Sequence, residues 1–63
     1  MTIGEKLIKL RGNMSQADVA AAIGISSSAL SMYENNERVP RDEIKIKLAD
    51  YYQKSVEYIF FAR

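Results

Sequence analysis

SQADVAAAIGISSSALSMYENNERVP, residues 15–40, holds two short helical segments divided by a glycine. Ser15 is suited to cap the first, and Asp18 places negative charge in its first turn. The interior, QADVAAAI, is rich in alanine, and Ala17, Val19, Ala20 and Ile23 include the expected buried positions. Alanine at such sites lets another helix approach closely. Gly24 ends this helix, residues 16–23, because glycine readily takes the left-handed conformation of a helix end. Ser26 is placed to cap the second helix, about residues 27–35. Ala29, Leu30 and Tyr33 suit its inward face, which leaves Ser27, Ser28, Ser31 and Met32 largely on the other side. Asn35 and Asn36 end it, and Pro40 disfavours helix at Val39.

The flanks extend the pattern. Thr2 and Glu5 have capping-box spacing, and Ile3, Leu7, Ile8 and Leu10 recur at helical intervals up to Gly12 and Asn13. This predicts a helix over residues 3–11. Beyond Pro40 a helix is expected over 41–52, with Ile44, Leu48 and either Ile46 or Ala49 inward and Tyr51 or Tyr52 closing the core. Ser55 then caps a last short helix, VEYIFF. Nothing reads as a strand or a repeat. The prediction is an all-α protein of five short helices in one domain, residues 1–63.

Composition narrows the function. Hydrophobic residues make up 48 % and charged residues 27 %, a globular balance. No apolar run approaches the ~20 residues of a membrane span, and a cytoplasmic location is expected. There is no cysteine and no histidine, so neither a disulfide framework nor a thiolate metal site is predicted. The carboxylates of Asp42 and Glu43 fall at a solvated helix start, so no enzyme, no cofactor and no small-molecule substrate is expected. The formal net charge is only +1, which does not by itself mark a nucleic-acid binder. The bases are unevenly spread: residues 15–36 carry none, whereas residues 38–47 carry Arg38, Arg41, Lys45 and Lys47.

Two short helices joined at Gly24, with small residues where they meet, form a helix-turn-helix arrangement. The run MSQADVAAAIGIS, followed by LSMYENNERVP, resembles the phage repressor and Cro-type (Xre) helix-turn-helix family. Ser15, Gln16, Val19, Ala20, Gly24, Ile25, Ser26, Leu30, Tyr33, Glu34, Asn35, Arg38 and Pro40 carry the likeness, and SVEYIF resembles the family's ending. The resemblance implies a compact lambda-repressor-like five-helix fold. It departs at Asn36, where glycine is usual, and at Lys9, where an arginine near the end of helix 1 commonly pairs with the glutamate matching Glu34. A Lys9–Glu34 pair is the corresponding expectation. Glu37 and Arg41 also replace a common lysine and a common capping serine.

The resemblance implies a sequence-specific transcriptional regulator, a repressor, that binds a double-stranded DNA operator as a homodimer. Ser27, Ser28, Ser31 and Met32 would read bases, with Met32 and Ala29 offering apolar surface to a thymine methyl. Phosphate contacts would come from Gln16, Ser26, Asn36, Arg38 and Arg41. Tyr58 and Phe61, left over near Tyr51 or Tyr52, would form the dimer surface. The alternative is an antitoxin-like or anti-regulatory protein-interaction module on the same fold, favoured by the near-neutral charge and base-free reading helix.

Overall fold

The computed structural model describes residues 1–61. Five helices follow in order: α1 (Ile3–Arg11), α2 (Gln16–Ile23), α3 (Ser27–Glu34), α4 (Asp42–Tyr52) and α5 (Glu57–Phe61), the last wound as a π-helix. Local chemistry explains the first three boundaries. The Glu5 amide donates to Thr2 Oγ1 at 3.1 Å and the Thr2 amide to Glu5 Oε1 at 2.7 Å, closing the capping box. Ser15 Oγ accepts from the Asp18 amide and Ser26 Oγ from the Ala29 amide, each at 3.0 Å. Gly24 takes the left-handed conformation, φ 79°, and turns the chain from α2 into α3.

Two ends differ from expectation. Helix α4 begins at Asp42 rather than at 41, with Arg41 as its uncapped flanking residue, and Gln53 ends it at φ 57°, where glycine would be unstrained. The terminal segment widens into a π turn. Ser55 Oγ still accepts from the Tyr58 amide at 3.0 Å, so the expected cap is present.

The core consists of Leu7, Val19, Ala20, Ile23, Leu30, Tyr33, Leu48, Ala49, Ile59 and Phe60. Leu7, Leu30, Leu48, Ile59 and Val19 are the largest fully buried side chains, each worth ~1.5–3 kcal/mol of apolar transfer. Helix α3 packs on α1 and α2, α4 packs on α2, and α5 packs on α1. Ala49 faces in and Ile46 faces out; Tyr52 is half-buried and Tyr51 exposed. Ala17, named among the expected buried positions, is exposed, and so is Ile8 of the α1 periodic set. Ala17 lies two residues from Val19, so both cannot share one narrow helix stripe.

One contact fixes the seating of α3. Gly4 is buried in the first turn of α1, and a Cβ there would overlap the carbonyl of Glu34, the last residue of α3. The backbones of the two helices meet directly at this point.

Candidate nucleic-acid interface

Helix α3 is held by Leu30, Tyr33 and Glu34, all at or below 7 % exposure. Its opposite face presents Ser27 and Ser28 to solvent and Ser31 and Met32 half-buried. Ala29 packs against the core, so its methyl is not part of the outward surface. Ser26 and Ser31 Oγ accept local bonds, from the Ala29 amide and, at 3.4 Å, from Asn35 Nδ2. Each hydroxyl keeps its proton to donate outward. The face is thus short, polar and uncharged.

Beneath α3 lies a buried polar cluster. Arg11 Nε donates to Glu34 Oε2 at 2.8 Å and Nη2 to Oε1 at 3.1 Å, a bidentate fork. Arg11 Nη1 donates to the Met14 carbonyl at 2.7 Å, and Gln16 Nε2 to Glu34 Oε1 at 2.7 Å. The end of α1, the start of α2 and the end of α3 therefore converge on one carboxylate. The expected partner, Lys9, is not the one: Lys9 is exposed. Helical spacing explains the correction. Arg11 follows buried Leu7 by four residues and shares its face, whereas Lys9 is two residues on and points away. Bonding to Glu34 raises the pKa of the Arg11 guanidinium. The Tyr52 hydroxyl is buried nearby without a partner, and burial, followed by the charge of Glu34, pushes its pKa up to about 12.

The expected phosphate ligands divide by what already engages them. Gln16 has one amide N–H committed to Glu34 and a second unassigned. Asn36 is occupied by the start of α1: its Oδ1 accepts from the Gly4 amide at 2.9 Å and its Nδ2 donates to Thr2 Oγ1 at 3.1 Å. Arg38 and Arg41 are exposed and line one cleft of about 350 Å³ with Ile25, Tyr33, Val39 and Glu43. Among the described residues neither arginine forms an ion pair. They form a positive rim on the loop that follows α3.

The aromatic residues expected to group at one end are dispersed. Tyr58, 49 % exposed, lies with Lys6 and Lys54 each 5.4 Å from its ring centre. Phe61, 60 % exposed, borders a separate cleft with Ile46 and Val56, and Lys45 sits 5.0 Å from its ring. The Tyr51 hydroxyl contacts Met14 Sδ at 3.4 Å, beside α2. No cluster of three or more metal-ligating side chains occurs among the described residues, and no helix there is long and apolar enough to cross a membrane.

The arrangement has counterparts. The model of the HTH_3 family, described as helix-turn-helix, matches residues 5–59. No curated protein matches the sequence. Among solved structures, the chain is similar to the P22 c2 repressor protein, crystallised in complex with synthetic operator 9T in the presence of Tl+. The two are 26 % identical, and the match covers 100 % of this chain and 98 % of that one at a TM-score of 0.94.

Proposed function

This chain belongs to the HTH_3 (Xre-type) helix-turn-helix family, and on that premise we propose that it is a sequence-specific DNA-binding repressor acting as a homodimer. It is a binding protein rather than an enzyme. The observation that carries the proposal is the whole-chain similarity to a repressor crystallised on its operator, joined to a helix α3 whose outer face presents Ser27 and Ser28 to solvent beside half-buried Ser31 and Met32.

Helix α3 enters the major groove. Ser27 and Ser28 meet base edges through hydroxyls that both donate and accept, and Ser31 adds a third. Met32 supplies apolar surface for a thymine methyl. None of these is a bidentate reader, so much of the specificity comes from DNA shape and bridging water. Short side chains let the α3 backbone sit deep in the groove. Arg38 and Arg41 take phosphates on one flank. Gln16, through its remaining N–H, takes one on the other, with Ser26 and the free amides at the start of α2.

Weak charge makes dimerisation valuable. The exposed pair Phe61 and Ile46, over half-buried Val56, offers an apolar surface for a second copy, whereas Tyr58, set apart between Lys6 and Lys54, is not part of it. Two copies place two α3 helices on half-sites about 34 Å apart.

A salt titration of duplex binding tests the reading, with sites first selected from a random duplex pool. Two arginines per protomer make four phosphate contacts in a dimer, so log K should fall against log salt with a slope of about −3.6. Binding that ignores salt, or no binding at low salt, would reject it and favour a protein-interaction module.

A further inference from the structure

The Asn36 side chain does something a glycine at this position cannot. Asn36 lies two residues beyond α3 at φ 60°, a backbone state that asparagine tolerates better than most residues. Its Oδ1 accepts from the Gly4 amide at 2.9 Å and its Nδ2 donates to Thr2 Oγ1 at 3.1 Å. The Gly4 amide is one of the first-turn donors that α1 cannot satisfy within itself. Thr2 is the residue that caps α1. Asn36 therefore bonds the α1 start at two points, 32 and 34 residues away in the chain.

The place of this link matters. Asn36 opens the segment that carries Arg38 and Arg41, and it lines a small cleft with Ile3, Tyr33, Arg38 and Pro40. At the far end Pro40 is buried, whereas Val39 between them is 70 % exposed. The segment is thus held at Asn36 and at Pro40, the Glu37 amide donates to the Met32 carbonyl at 2.9 Å, and Arg38 and Val39 project into solvent between these points.

We propose that Asn36 is a positioning residue for DNA binding: its side chain fastens the segment between α3 and Pro40 to the start of α1 and so presents the Arg38 guanidinium to a phosphate, while Arg41 is held by the first turn of α4. This rests on the DNA-binding reading above and refines it, because it moves Asn36 from phosphate ligand to support. An ordered loop loses less entropy when it meets the backbone of DNA.

The test compares Asn36→Gly with the wild-type chain. Glycine keeps the positive φ at no steric cost and removes only the side-chain link. Backbone amide order parameters of residues 38 and 39, measured on the free protein, should fall from about 0.85 to below 0.6 in Asn36→Gly. Asn36→Asp, which keeps an acceptor for the Gly4 amide, should preserve them. Duplex affinity of Asn36→Gly should drop roughly tenfold at low salt, and the salt slope should weaken by about one for each arginine that no longer reaches its phosphate. A purely structural role would lower the melting temperature yet leave the slope unchanged in the folded protein. Unchanged order, or unchanged affinity and slope, overturns the proposal. A wild-type chain that binds no duplex overturns the DNA reading instead, and the order parameters still decide whether Asn36 holds the loop.

Discussion

Replacing Arg11 with methionine should cost this protein a large part of its stability. Glu34 is 3 % exposed, and Arg11 supplies two of the three side-chain bonds that its carboxylate accepts. Arg11→Met leaves a buried carboxylate with one amide from Gln16, and it frees the Met14 carbonyl. Removing one partner of a buried pair costs about 3–5 kcal/mol. The Arg11 side chain keeps 19 % of its surface in water, so the lower end, about 3 kcal/mol, applies here. A domain of this size has about 3–9 kcal/mol in total. The melting temperature should therefore fall by about 12–24 °C, read by far-ultraviolet circular dichroism and confirmed by urea denaturation. The paired change Arg11→Met with Glu34→Leu should recover most of the loss, because no charge is then left buried. Lys9→Met, on the exposed face, should shift stability by no more than about 0.5 kcal/mol. Equal effects of Arg11→Met and Lys9→Met would refute the assignment of the pair, as would a double variant no more stable than the single.

Three further outcomes are expected. Tyr52→Phe removes a buried hydroxyl without a partner and should raise or preserve stability at neutral pH. Because the wild-type hydroxyl stays neutral to about pH 12 in the fold but ionises near 10.0 when unfolded, its contribution is complete below pH 10 and is lost as pH rises through 12. Urea denaturation across that window should show a shallower alkaline loss in Tyr52→Phe, and an identical loss would count against it. Gly4→Ala forces a methyl into the Glu34 backbone, and should destabilise by about 1–3 kcal/mol or more; a neutral result would show that α1 and α3 can slide apart. Ser28→Ala should weaken binding to the selected site by about 0.5–1.5 kcal/mol, the value of one neutral hydrogen bond, while sparing unrelated duplex, measured by fluorescence anisotropy on both.

The frame was legible because its signals are local. Ser15 and Ser26 lie one residue before their helices, Gly24 sits at the turn, and Val19 with Ile23, Leu30 with Tyr33 and Ile44 with Leu48 keep helical spacing within their helices. The π turn of α5 and the αL end at Gln53 were not legible, because neither carries a characteristic residue. Dispersal of Tyr51, Tyr58 and Phe61 was hidden for another reason. Adjacency in the chain says little about direction when two helices of different winding meet. Arg11 is an intermediate case: its spacing from Leu7 was available, and the helical face would have chosen it over Lys9.

The Asn36 bridge and the Gly4 approach show what lay out of reach. Both join the start of α1 to residues some thirty or more positions on, and no periodicity links them. Their consequence is nonetheless specific. On the proposed reading, the face of α3 that meets DNA is made mainly of hydroxyls that any duplex can partly satisfy, so its own side chains would discriminate weakly. Discrimination then depends on how reproducible the helix position is, since a displaced hydroxyl bonds a different base edge or a water. Helix α3 is fixed by the Glu34 carboxylate below, by Gly4 at its end and by Asn36 just beyond. A reader with few charges and short side chains needs this rigidity more than one armed with arginine, whose long fork can reach its guanine from several helix positions.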